Sequence, residues 1–163
     1  MEYERRGDGY HFRQELERRY LQPLTGPGLL PVRPEAWADL AARRATSETC
    51  RMTYKGKARE IADGFEMSFS AEGTSNVPWA LEVSLRPGGE LTRVTAAREA
   101  EGIFLLEDGY AEYRVGSDLI RFGPGRHEHS YVQVRGAHPR LPGLSVYLTG
   151  YTPFEHTMTF ELH

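Results

Sequence analysis

The chain is expected to be mainly β, an antiparallel β-sandwich of jelly-roll-like type with one or two short N-terminal helices. Three observations lead there. Apolar and polar residues alternate in several short runs, most clearly Trp79, Leu81, Val83 and Leu85 against Ala80, Glu82 and Ser84. Frequent Gly (17) and Pro (10) punctuate the chain as short strands and many turns require. The stretch from Gly102 to Gly136 reads as short strands divided by Gly-bearing turns, the pattern of an antiparallel meander.

Residues 1–33 differ from the rest and are read as an arm packed on a single antiparallel β domain that occupies residues 34–163. Phe12, Leu16 and Tyr20 fall at i, i+4 and i+8, which predicts one apolar stripe on a short helix. LQPLTGPGLLPVRP follows, and its spacing of Pro excludes any regular element. Its leucines call for cover, so it is expected to pack on the sheet or on a neighbouring domain rather than to serve as a free linker or a Pro-rich recognition peptide. Pro34 to Arg44 predicts a second helix, with Pro in its first turn, Glu35 and Asp39 early, and Arg43 and Arg44 late.

From Cys50 the period changes to two. Met52 and Tyr54 start a strand, Lys55-Gly56-Lys57 is expected to turn, and Arg59 to Ile61 to pair back. Phe65, Met67 and Phe69 predict a half-buried strand, and Trp79 to Leu85 another. Leu91 to Val94 resumes after Pro87-Gly88-Gly89, and residues 95–101 are expected as a helical turn or loop. Ile103 to Leu106, Tyr110 to Val115, Leu119 to Phe122 and Tyr131 to Val134 follow. Leu144, Val146 and Leu148, then Met158, Phe160 and Leu162, complete the series. That makes about nine to eleven strands, as sandwiches and barrels have. The apolar phases of these strands should form the core, and Leu81→Ala is expected to cost roughly 2–5 kcal/mol.

Composition narrows the function. The 163 residues suit one domain with one core. No run approaches a membrane span, and the charged N-terminus has no apolar segment of a signal peptide. Net charge is −3, and neither half is basic enough to follow a phosphate backbone, so no nucleic acid partner is expected. Cys50 stands alone, which excludes an internal disulfide and a Cys-based zinc site.

Three constellations could carry chemistry. His127 and His129 are two residues apart, so in an extended strand both imidazoles point to one side, and His156 or His138 could complete a shell for a divalent metal. Glu155 would be the local base for hydrolysis. The spacing resembles the HxH of cupin barrels, although no Glu follows within Ser130 to Gly136. The plain alternative is a polar, solvated turn.

Carboxylates form the second set: Glu66, Glu82, Glu107, Asp108, Glu112 and Asp118 all fit exposed strand or turn positions, and no pair stands out for glycoside cleavage. No G-x-S-x-G elbow surrounds Ser117. Aromatics form the third. Trp79 falls on the apolar phase of its strand and is expected in the core. Tyr131 and Tyr147 fall on polar phases and are the candidate platform for stacking a ligand such as a sugar ring.

VPWALEVSLRPGGEL, the hairpin GYAEYRVGSDLIRFGPG and VYLTGYTPFEHTMTFEL together resemble the C-terminal β-sandwich of bacterial polysaccharide-degrading enzymes, the heparinase II/III-like lyases and related glycoside hydrolases. The resemblance covers roughly residues 60–163. It implies a piece of a larger enzyme, or a stand-alone relative of that piece, with carbohydrate or a neighbouring domain as partner. The residues that do lyase chemistry lie outside such a tail, so none is assigned here. The expectation is therefore an accessory carbohydrate-related module without a complete active site and with no cofactor. The alternative is a cupin-like β-barrel that binds a metal or small ligand through His127, His129 and His156.

Overall fold

The computed structural model describes residues 1–7, 9–23, 37–97, 101–130 and 141–163, and the side chain of Trp37 is not among them. The described residues form twelve strands and one short helix: β1 (Glu2–Arg6), β2 (Gly9–Leu21), α1 (Trp37–Ala42), β3 (Thr46–Ile61), β4 (Gly64–Gly73), β5 (Pro78–Leu85), β6 (Glu90–Thr92), β7 (Thr95–Ala96), β8 (Ile103–Leu105), β9 (Ala111–Val115), β10 (Asp118–Gly123), β11 (Leu144–Tyr151) and β12 (Phe154–Leu162). They make two sheets. The larger has the order β1-β2-β3-β4-β12-β10-β9-β6, and the smaller β5-β11-β8-β7.

One apolar core joins the sheets. Trp79, Leu85, Val146 and Leu148 from the smaller sheet meet Ala111, Tyr113, Phe122 and Met158 from the larger, with Leu106 between strands. The alternation read in β5 sets this up, since Trp79, Leu81, Val83 and Leu85 share one face and all reach the core. β11 is buried on both faces from Ser145 to Gly150. Its polar side chains are accordingly satisfied: Ser145 Oγ donates to Glu82 at 2.6 Å, and Thr149 Oγ1 donates to the His129 carbonyl at 2.6 Å.

The first 21 residues depart from expectation. Phe12, Leu16 and Tyr20 lie on β2, not on a helix. A spacing of four is even, so it places three side chains on one face of a strand as well as on one stripe of a helix. The odd positions Arg13, Glu15, Glu17 and Arg19 then form the opposite, charged face. β2 pairs antiparallel with β1 on one side and along its length with β3 on the other. Residues 1–21 are thus part of the larger sheet rather than an arm laid upon it. Residues 24–36, the Pro-rich part of that arm, lie outside the described residues.

Lys55-Gly56-Lys57 does not turn, because β3 runs unbroken from Thr46 to Ile61 with Gly56 in its middle. Residues 95–96 are a strand rather than a helical turn. The stretch after Gly102 is not a simple meander. β9 and β10 form the expected hairpin in the larger sheet, but β8 belongs to the smaller sheet and pairs parallel with β11. Tyr131 to Val134 lies outside the described residues. No helix among the described residues is long and apolar enough to cross a membrane.

Candidate functional site

The core-facing side of the larger sheet is built from rows that run across the strands. One row is Ala111, Phe122, Phe160, Phe65 and Glu60, each the register partner of the next. A second is Met158, Met67, Ala58, Tyr10 and Arg5. A third is His156, Phe69, Gly56, Phe12 and Tyr3. The smaller sheet has four strands against eight, and its core contacts fall on β6, β9, β10 and β12. The rows therefore begin in the core and emerge toward β1. Phe122 is 0% exposed and Phe65, two strands away, is 38% exposed. Tyr10 and Tyr3 at the other end of their rows are 43% and 68% exposed.

Between these aromatics lies a groove of about 460 Å³, lined by Arg5, Tyr10, Ala58, Glu60 and Phe65 among others. Phe160 lies flat against one face of Phe65, with centroids 4.6 Å apart and planes 8° from parallel. Tyr3 stacks on Tyr10 at 5.8 Å, and the Arg5 guanidinium stands 5.8 Å over the Tyr10 ring. Arg59 and Glu66 pair at 2.7 Å on the opposite face, where the Arg59 hydrogen bond holds the Glu66 carboxyl below its ordinary pKa. Glu4 and Arg6 pair on that opposite face too, with the same effect on Glu4. Glu60 is exposed on the groove side. A second groove of about 460 Å³ crosses β2, β3 and β4 at Leu16, Met52 and Gly73. Its Glu17 and Glu72 are ion-paired with Arg51 and Lys55.

The histidines singled out by sequence do not form one ligand set. His129 is buried, and its Nε2 lies 3.0 Å from the Gly150 carbonyl and 3.1 Å from that of Trp79. Two acceptors fix that nitrogen as the protonated one, so it has no lone pair for a metal. His156 Nε2 likewise donates to the Pro124 carbonyl at 2.9 Å. Burial lowers the His156 pKa and the Arg126 charge lowers it further, against the opposing pull of that carbonyl. His127 Nε2 is buried without a hydrogen-bond partner. Among the described residues no group of three His, Cys, Asp or Glu is placed to hold a metal ion. Glu155 is exposed, and His138 lies outside the described residues.

The HEH segment has a structural task instead. The Thr149 amide donates to the Arg126 carbonyl at 2.9 Å, and the Glu128 amide to the Thr149 carbonyl at 3.2 Å. These bonds tie residues 126–128 to the edge of β11 that β8 leaves free after Leu105. Glu128 salt-bridges Arg126 at 2.5 Å and accepts from the Tyr151 amide at 3.2 Å.

Tyr147 is not a surface platform. It is 7% exposed and packs with Ile103 and Leu105, because both faces of β11 are covered. Tyr131 lies outside the described residues. Sequence reasoning missed Tyr3, Tyr10 and Phe65. The signal for the first two was Gly7-Asp8, a dipeptide of hairpin-turn type, between two runs that carry aromatics. Arg6 pairs with Gly9, and Gly7 takes a φ of 54°. Compared with known proteins, the chain matches no family model, no curated protein and no solved structure.

Proposed function

We propose that the chain is an accessory, carbohydrate-related module, an antiparallel jelly-roll-like β-sandwich that binds glycan rather than cleaving it. The observation that supports this reading is the emergence of aromatic side chains from the core onto the open end of the larger sheet, with Tyr3, Tyr10 and Phe65 exposed beside charged groups. Aromatic faces on a rigid sheet offer flat apolar contact at little cost in side-chain entropy, and Arg and Glu at the rim offer hydrogen bonds. The cupin-like alternative is disfavoured because the Nε2 atoms of His129 and His156 donate to backbone carbonyls.

The test is affinity electrophoresis through gels cast with a panel of soluble polysaccharides. Retardation by at least one of them is expected for the wild type, with loss in a Tyr3→Ala/Tyr10→Ala variant that still unfolds cooperatively. A wild type retarded by none of the panel would overturn the reading. Release of reducing or unsaturated ends from a retained polysaccharide would overturn the accessory role in favour of an enzyme.

A further inference from the structure

We propose that the groove between Tyr10 and Phe65 is a subsite for one neutral sugar ring, held between the two aromatic faces with its hydroxyls on Arg5 and Glu60. This rests on the glycan-binding reading above and adds the place and the chemical class.

The walls are set by register. Tyr10 stands on β2 and Phe65 on β4, with Ala58 of β3 between them as a floor that carries only a methyl group. Two strand spacings and one row of two residues separate the walls at their bases, about 12 Å on the diagonal. A ring in contact with an aromatic on each side needs about 7–8 Å, so both side chains lean inward over Ala58 to hold it. The faces are also directed. Phe160 on β12 covers one face of Phe65, so the other is left for the groove. Tyr3 stands on β1, the far side of β2 from Ala58, and stacks on Tyr10, so the Tyr10 face turned toward β3 is the one left to it, with Arg5 lining the groove at its rim.

The rim decides the ligand class. Arg5 can only donate hydrogen bonds and a Glu60 carboxylate can only accept them, while Arg59, which also lines the groove, has its guanidinium paired with Glu66. A hydroxyl does both, so a ring carrying several hydroxyls serves the two groups at once. An anionic ring would meet Glu60 with like charge, and a cationic ring would meet Arg5 so. A purely apolar ring would leave both without a ligand contact. A pyranose with apolar C–H faces and uncharged hydroxyl edges fits walls and rim together.

The test is titration of the wild type with neutral cello-, xylo- and manno-oligosaccharides, with oligogalacturonate and with chitosan oligomers, read by calorimetry and by amide chemical shifts. Binding of a neutral oligosaccharide is expected, with shifts centred on Tyr10, Ala58 and Phe65. Phe65→Ala should weaken it about tenfold or more. Glu60→Gln keeps an exposed side chain of the same shape and should also weaken it, whereas Glu90→Gln at the far edge of the same sheet should not. Neutral glycan binding that survives both Phe65→Ala and Glu60→Gln, with shifts elsewhere, overturns the groove and leaves the module reading standing. Preference for oligogalacturonate or chitosan overturns the neutral class. No binding to any glycan overturns the subsite and the module reading together.

Discussion

The ring of Phe12 lies across Gly56, its register partner on the next strand. A Cβ on Gly56 would fall within that ring. The absent side chain lets Phe12 reach over β3 toward Phe69, whose ring centroid is 6.2 Å away at 55°. Gly56 is therefore retained for close approach in mid-strand, where glycine otherwise weakens a sheet. Gly56→Ala should displace the ring and cost about 1–3 kcal/mol by overpacking, read as a lower urea midpoint. In a Phe12→Ala background the same substitution should cost far less, since the clash is gone. Equal costs in the two backgrounds would refute this contact.

That pair also marks where the sequence could be read and where it could not. Gly between two lysines has the local signature of a turn, and only a ring brought in from β2 explains it as strand. Phe12, Leu16 and Tyr20 satisfied two periods at once, and tertiary pairing with β3 chose the shorter. Strands β5, β11 and β12 were legible because each buries one apolar phase, or both, in the core, and β4 because Phe65, Met67 and Phe69 alternate with polar residues even though they are only partly covered. The assignment of β8 to the smaller sheet was not legible, since a three-residue run carries no sign of its partner. Phe65 fell on an apolar phase and was expected inside. Its exposure follows from the unequal widths of the two sheets, a property of the whole chain. Carbonyls of Trp79, Gly150 and Pro124, distant in sequence, claimed two of the three histidines.

Leu148 and Leu81 are register partners on β11 and β5, yet they are not equivalent. Leu148 is fully buried and Leu81 only partly. Leu148→Ala should cost about 2–5 kcal/mol, because a closed core on β11 cannot collapse into the cavity. Leu81→Ala should cost less, since its site opens toward solvent. Denaturant midpoints of the two variants provide the comparison, and a larger loss at Leu81 would mean that the core is centred elsewhere.

Thr152 is the clamp between the end of β11 and the loop before β5. Its hydroxyl donates to the Thr74 carbonyl at 2.6 Å and accepts from the Val77 amide at 2.9 Å. Its backbone exchanges bonds with the same loop, to Asn76 N at 2.7 Å and Val77 O at 3.0 Å. Thr152→Val keeps the shape and removes the hydroxyl, which strips both partners at once. About 1–3 kcal/mol of stability should be lost. Amide exchange at Val77 should accelerate more than at core positions such as Val146, and uniform acceleration would deny the local clamp.

His156 should impose a pH dependence of known sign. Burial and the Arg126 charge hold its pKa below the ordinary 6.5. The unfolded chain then binds a proton at a higher pH than the folded one. Stability is fully present above pH 6.5 and falls as the pH drops through the folded-state pKa, because folding must exclude that proton or bury a charge. The lowered carboxyls of Glu4 and Glu66 behave separately. Their contributions hold above the ordinary carboxylate value of 4.5 and are lost only as the pH falls through their own lower values. The interval between 4.5 and 6.5 is thus free of those two carboxyls and open to His156. Urea midpoints measured across it should decline for the wild type as the pH is lowered. His156→Gln, which retains a donor for the Pro124 carbonyl and does not titrate, should flatten that decline. An unchanged slope in the variant would assign the decline to another group and remove His156 from the account.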